Sequence, residues 1–253
     1  MNIILGGALG RMGREIAQAV RDTDDVNTCG VDVAYAGQPC DFPVVTAYCQ
    51  VAGDADALID FSRPDGLPEL LELVKGRRLP TVLCATGYTD AELAWIAEAA
   101  KAAPIFRSAN MSLGVSVLRR LAGTAAKALG EGYDIEIVEK HHRMKVDSPS
   151  GTALMLYQAI EKETGSAREP VYGRYGRNAK RAPGEIGIHA VRGGTMTGEH
   201  EVGFYGPGEE LILTHRAENR SLFAQGALRA ARFLRDKPAG LYGMEDLVDD
   251  ILR

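Results

Sequence analysis

An apolar run at the N-terminus, Met1 to Leu5, passes straight into Gly-Gly-Ala-Leu-Gly-Arg-Met-Gly, and the next stretch places Met12, Ile16 and Val20 on one helical face. A strand that feeds an amphipathic helix through a glycine turn opens a parallel βαβ unit. The alternation then repeats. Strands are predicted at Ile3–Leu5, Thr28–Val33, Ala57–Phe61, Thr81–Ala85 and Ile105–Arg107. Between them, Leu67, Leu70, Leu71 and Val74 make one helical face, and Leu93, Ile96, Ala97 and Ala100 another. The strands are continuous apolar runs, as expected where helices cover both faces of a sheet.

After Asn110 the pattern changes. A helix through Leu118, Leu121 and Leu129 leads to an alternating strand, Tyr133 to Val138. Three further strands are predicted at Glu185–Val191, Glu201–Tyr205 and Leu211–Thr214. Gly193-Gly194 and Gly206-Pro207-Gly208 separate them, which predicts hairpins. Residues 165–184 are polar and are expected to form a long surface loop. A last helix, with Ala224, Ala227, Leu228, Ala231 and Leu234 on one face, begins at Ser221. The expected fold class is α/β. Residues 1–111 with 221–253 form a Rossmann-type dinucleotide-binding domain. Residues 112–220 form a second, mixed α/β domain with a four-stranded sheet, for substrate binding and oligomerisation.

Bulk properties narrow the function. The 253 residues are 45% hydrophobic and 25% charged, which suits a globular chain of two domains. A net charge of −5 argues against a general nucleic-acid binder. No apolar stretch approaches the ~20 residues of a membrane helix, and MNIILGG lacks the basic start of a signal peptide. Cys29, Cys40, Cys49 and Cys84 make no CxxC pair and no cluster with histidine. They read as reduced thiols of a cytoplasmic protein, with no metal site.

The glycine turn has a chemical reading. Gly7, Gly10 and Gly13 keep a three-residue spacing that lets backbone approach a pyrophosphate at the positive end of a helix. The first interval is wider than the usual Gly-x-Gly, and such a turn also occurs for packing alone. Asp32, at the end of the next predicted strand, stands near the usual interval for a residue that binds ribose. Gly7, Ala8, Leu9, Gly10, Arg11 and Met12 with Asp32 are therefore expected to hold the adenosine half of a nicotinamide cofactor. A carboxylate there favours NADH and repels the 2′-phosphate of NADPH. Arg11 is the one nearby cation, so NADPH should still be used. Two more loops, Cys84-Ala85-Thr86 and Ser108-Ala109-Asn110-Met111, follow predicted strands and point to the same crevice.

Lys140 to Ala153 reads KHHRMKVDSPSGTA and holds two of the five histidines in the chain. A run of cations is usually a solvated face, and an adjacent histidine pair without a third spaced ligand is poor metal geometry. The following residues favour another reading. Pro149 suits a first helical turn, Ser148 or Ser150 can cap, and Gly151-Thr152 open a helix whose apolar face is Ala153, Leu156, Tyr157 and Ile160. Imidazole, ammonium and a helix N-terminus together describe a carboxylate pocket with a proton donor beside it.

The string HHRMKVDSPSGTA resembles the signature of the 4-hydroxy-tetrahydrodipicolinate reductase (dihydrodipicolinate reductase) family. GGALGRMG resembles that family's cofactor turn, Asp60-Phe-Ser-Arg63 its nicotinamide-side loop, and Val191 to His200 its later strand pair. The likeness covers nearly the whole chain. Met144, Ser148 and Cys84-Ala85 depart from the commoner residues. The resemblance implies hydride transfer from NADH or NADPH to a cyclic unsaturated imine dicarboxylate in lysine and diaminopimelate synthesis. His141 would donate the proton, Lys145 would stabilise developing charge, and His142, Gly151 and Thr152 would hold a substrate carboxylate. Arg63, Cys84, Ala85, Thr86, Ser108, Ala109, Asn110 and Met111 would lie along the nicotinamide. It further implies a homotetramer, and closure about hinges near residues 111 and 220. Another two-domain dehydrogenase would lack the histidine string. A non-catalytic nicotinamide sensor would have no need of His141 and Lys145.

Overall fold

The computed structural model describes residues 1–253. They form two compact units, Met1–Ser112 with Arg220–Arg253, and Leu113–Asn219. The first unit begins β1 (Asn2–Gly6), α1 (Arg11–Arg21), β2 (Val26–Val31), β3 (Val44–Val45), β4 (Ala57–Asp60), α2 (Leu67–Arg77), β5 (Thr81–Leu83), α3 (Asp90–Ala99) and β6 (Pro104–Arg107). The second holds α4 (Leu113–Leu129), β7 (Asp134–His141), α5 (Gly151–Thr164), β8 (Pro170–Tyr172), β9 (Ile186–Arg192), β10 (Gly198–Gly206) and β11 (Glu209–Ala217). The chain then returns to the first unit as α6 (Ser221–Leu234), β12 (Gly240–Tyr242) and α7 (Met244–Ile251).

The first unit is a seven-stranded sheet in the order β12-β6-β5-β4-β1-β2-β3, parallel throughout. Strand β1 lies between β2 and β4, so successive βα connections leave it in opposite directions. That reversal opens a crevice beyond the carboxyl ends of the strands. The apolar runs are buried as expected: Ile3, Leu5, Leu58, Ile59, Val82 and Leu83 have no more than 1% of their surface exposed. Each such side chain contributes on the order of 1.5–3 kcal/mol. Helix α3 starts at a capping box, in which Thr89 Oγ1 accepts the Glu92 amide and Glu92 Oε2 accepts the Thr89 amide. Its inner face is rotated from the expected one: Ala99 is buried and Ala97 is exposed. Helix α6 packs closely against the crevice, because a Cβ on Gly226 would stand 1.8 Å from the Met111 carbonyl oxygen.

The second unit is a mixed five-stranded sheet, β11-β10-β7-β9-β8, rather than the four strands expected. The extra strand is the short β8, inside the supposed long loop, which pairs in parallel with β9. Pro207-Gly208 does turn a hairpin between β10 and β11. Gly193-Gly194 does not: β9 pairs in parallel with one side of β7, and β10 pairs antiparallel with the other. The link from β9 to β10 instead crosses the end of β7, where Gly193 donates to the His141 carbonyl and His142 to the Met196 carbonyl.

Helices α4 and α5 supply the core against one face of this sheet, through Leu118, Ala122, Leu156 and Ile160. The inner stripe of β7 runs Ile135, Ile137, Glu139, His141, and that of β10 runs Phe204, Val202, His200. The same buried face is apolar at one end and charged at the other. The charged end meets the N-terminus of α5, where Ser150 caps by accepting the Ala153 amide. Pro149 stands before the cap, after a cis peptide bond, and not in the first helical turn.

Candidate active site

In the first unit the crevice is built mostly of backbone. Gly7 has φ +70°, and a Cβ there would lie 2.9 Å from the Phe61 carbonyl. A Cβ on Gly13 would lie 2.2 Å from the Gly7 oxygen and 2.5 Å from the Ala8 oxygen. Only glycine lets the first turn of α1 sit this close to the loop. Asp32 falls just beyond β2, where its carboxylate accepts the amides of Leu9 and Ala34, each at 2.9 Å. It is thereby tied to the glycine turn. Helix α1 begins at Gly10 with no side-chain cap, so nothing on the chain competes for its first amides. The cradle fits a dinucleotide.

A cavity of about 290 Å³ continues from this turn, lined by Met12, Phe61, Cys84, Ala109, Asn110, Met111, Arg220 and Phe223. Five of the expected contacts therefore meet in one space, while Arg63, Ala85, Thr86 and Ser108 do not line it. Phe61 belongs to the Asp60–Arg63 stretch expected beside the nicotinamide, whereas Arg220 and Phe223 were not expected. Arg220 and Phe223 come from the start of α6, more than a hundred residues along the chain, and no local pattern marks them. Beneath the turn Asp60 is buried, accepting Tyr48 Oη at 2.8 Å and the Ser62 amide at 3.1 Å. Burial raises the pKa of both side chains of this pair.

In the second unit the site is made of side chains. His141 is 8% exposed, and its Nδ1 lies 2.6 Å from Glu139 Oε2. Glu139 is fully buried. Arg192 holds both its oxygens at 2.7 Å, and its Oε1 also accepts the Ser150 amide at 2.9 Å. One carboxylate thus joins the imidazole to the N-terminus of α5. Burial pushes Glu139 up, but the bonds from Arg192, His141 and Ser150 outweigh it and hold the carboxyl below its ordinary range. For His141, burial wins over the attraction of Glu139 and lowers the pKa.

His200, on β10, packs edge-on against His141 with ring centroids 5.0 Å apart. Its Nε2 is 3.0 Å from Ser150 Oγ, and its Nδ1 has no partner. Burial, with the charge of His141, pushes its pKa down to about 4. Lys145 pairs with Asp147 at 2.8 Å and accounts for one of the charges that act on His141. His142 is half-buried, Gly151 exposed and Thr152 half-buried, at the opening of α5. A Cβ on Gly151 would meet nothing within 4 Å. The expected residues therefore gather at one end of the sheet, but Glu139, Arg192 and His200 were not among them. Alternation along β7 is the signal that places Glu139 on the buried face with His141.

Two family descriptions match this chain, dihydrodipicolinate reductase N-terminus over residues 1–111 and dihydrodipicolinate reductase C-terminus over 114–248. A 4-hydroxy-tetrahydrodipicolinate reductase of Caldanaerobacter subterraneus is 49% identical over 98% of each chain. One from Clostridium tetani is 44% identical over 98% of this chain and 97% of its own. Among solved structures, dipicolinate-bound dihydrodipicolinate reductase from Paenisporosarcina superposes with a TM-score of 0.81 at 23% identity, covering 97% of this chain and 98% of that one. A more distant neighbour, GenD2 in complex with NAD, has a TM-score of 0.58 at 12% identity, over 98% of this chain and 90% of its own. At these identities the structural matches speak to fold.

Proposed function

The chain belongs to the dihydrodipicolinate reductase family, and from that membership we propose how its two sites divide the reduction of 4-hydroxy-tetrahydrodipicolinate. The observation that carries the division is the single carboxylate of Glu139, which joins a buried imidazole to a helix N-terminus. An acid beside an anion site is what reduction of a cyclic imine dicarboxylate requires. The nicotinamide, when bound, supplies the hydride.

The turn from Gly7 to Met12, with its open amides at the start of α1, and the Asp32 carboxylate hold the adenosine half of the cofactor. The residues of the adjoining cavity, with Arg63, Ala85, Thr86 and Ser108 at its loops, hold the nicotinamide half. NADH is preferred and NADPH accepted. In the second unit His142, Gly151 and Thr152 hold a substrate carboxylate at the α5 N-terminus, where the amide dipoles favour negative charge. His141 delivers a proton to the ring atom next to the one that receives hydride. Lys145 exchanges Asp147 for the charge that develops on the substrate. The basic segment also explains how a dianion enters a protein of net charge −5, because a local cluster focuses the field.

The enzyme works in the cytoplasm as a homotetramer built on the open face of the second sheet. Apolar Val191 and Ile212 and the ion pairs of Glu199 with Lys140 and Arg216 lie there. Coupling the purified protein to a dihydrodipicolinate synthase should give oxidation of the reduced cofactor, followed by absorbance. Simple 2-oxo acids should give none. A null result with folded protein and fresh substrate removes this reading.

A further inference from the structure

Four groups face the His141 ring or act on it by charge, and they come from several elements. Glu139 lies on its own strand β7, Lys145 on the loop that follows, Arg192 on β9 and His200 on β10; His215 of β11, the cross-strand partner of His200, acts by charge on His200. Only Glu139 touches a ring nitrogen of His141. Its other contacts are all donors, two from Arg192 and one from the Ser150 amide, so the carboxylate is fixed in place and remains an acceptor towards the ring. The sheet register makes this arrangement, because His141 pairs with Arg192 and Glu139 with His200 across β7.

We propose that Glu139, clamped by Arg192, is the positioning residue of the reaction: it takes the Nδ1 hydrogen of His141 and so leaves Nε2 as the atom that delivers the proton. This rests on the reading of His141 as the donor. Three consequences follow from the geometry. The neutral ring carries its hydrogen on Nδ1, because a carboxylate accepts and cannot donate. Nε2 then takes the proton that is later transferred, and the Glu139 charge stabilises the resulting cation. Room beside Nε2 depends on Gly198, since a Cβ there would lie 2.8 Å from that nitrogen.

Glu139→Gln is expected to reverse the arrangement. The amide oxygen would take the position that accepts both Arg192 Nη2 and the Ser150 amide, and the amide nitrogen the position facing Nδ1, where the bond from Arg192 Nη1 is lost. The ring would then carry its hydrogen on Nε2 and lose the stabilised cation. Turnover should fall roughly 10²-fold, the weight of a general acid. The high-pH limb of kcat should also move down by about one pH unit. Its sign is fixed: the donor works below its pKa and fails as pH rises, and removing a neighbouring negative charge lowers that pKa. Glu139→Asp should recover part of both.

The deciding experiment is a cycle of His141→Gln, Glu139→Gln and the double variant, with pH profiles of kcat and equilibrium titration with dipicolinate. If Glu139 acts through His141, the double variant is no slower than His141→Gln alone. Losses that multiply, or an unmoved pH limb in Glu139→Gln, overturn the proposal. A His141→Gln protein that keeps its turnover instead overturns the assignment of His141 as donor. If Glu139→Gln does not fold, ¹⁵N resonances of histidine in the unaltered protein decide: hydrogen on Nδ1 of neutral His141 supports the proposal, and hydrogen on Nε2 overturns it.

Discussion

On the function proposed above, the two units hold a charged ligand with opposite materials. In the first, the ligand site is backbone. Gly7 and Gly13 allow approaches no side chain permits, and the one carboxylate, Asp32, is fastened to main-chain amides. In the second, the site is a web of side chains: Glu139, His141, Arg192, His200 and Ser150 come from three strands and a helix cap. A backbone site is insensitive to most substitutions and sensitive to added volume. A side-chain site has the reverse vulnerability and also titrates.

The largest effect should therefore fall in the second unit and leave the first untouched. His141→Gln should reduce kcat by roughly 10²–10⁴-fold. NADH affinity, measured by titration without substrate, should stay within about twofold. A comparable loss of NADH affinity would break the separation of the two sites.

Titration should separate the units next. His200 is 4% exposed with a pKa pushed to about 4, so between that value and the ordinary 6.5 the unfolded chain binds a proton that the folded chain refuses. Stability rises with pH wherever the unfolded state holds more protons. It is thus complete above pH 6.5 and lost progressively as pH falls towards 4, by about 3 kcal/mol for this group. Below that, protonation of Glu139 and Glu136, both held under their ordinary range, continues the loss. Urea unfolding at pH 7.5 and 4.5 should show a smaller difference for His200→Gln than for the wild type. Equal differences would mean that His200 is not a buried neutral ring.

The backbone site is tested by volume. Gly7→Ala puts a side chain at positive φ and against the Phe61 carbonyl. Relieving that strain, on the order of 1–3 kcal/mol, would shift the turn away from the geometry that the cofactor needs, so NADH should bind about 10- to 100-fold more weakly. Dipicolinate affinity should stay the same. If NADH binding survives the added methyl, the close approach is not what makes the site.

This contrast also explains what the sequence could reveal. The glycine turn and the apolar runs are local signals, and they predict the first unit's parallel sheet. Strands β3, β8 and β12, of two or three residues each, carry no periodicity of their own and exist only through their neighbours. The histidine string was legible because His141, Lys145 and Thr152 are close in sequence. Arg192 and His200 lie more than fifty residues from His141, and only the register of β9 and β10 on β7 brings them there. The misplaced hairpin at Gly193-Gly194 has the same origin. A glycine pair signals a turn, but cannot say that β7, made long before, lies between the two strands.

The smallest effect concerns which nicotinamide is preferred, and it turns on the one charged side chain assigned to the ribose. Both oxygens of Asp32 are fixed by the Leu9 and Ala34 amides, and each keeps a lone pair for a ribose hydroxyl. A 2′-phosphate brought to that point would meet a carboxylate that cannot swing away. Arg11 is exposed at the start of α1 and is the one nearby cation expected to offset that repulsion, so discrimination should be partial. Val33, beside Asp32, is 91% exposed and leaves room for a cation. A hydrogen bond to a charged group contributes about 1.5–3 kcal/mol, and Arg11 offsets part of it for NADPH. NADH should be favoured in kcat/KM by about tenfold, or 1.4 kcal/mol. Asp32→Ala should narrow the gap, and Val33→Arg should move it towards NADPH. A wild-type enzyme that prefers NADPH, and loses that preference with Arg11→Ala, would show that the cofactor unit also discriminates by a mobile side chain, and the contrast between the units would hold for binding but not for specificity.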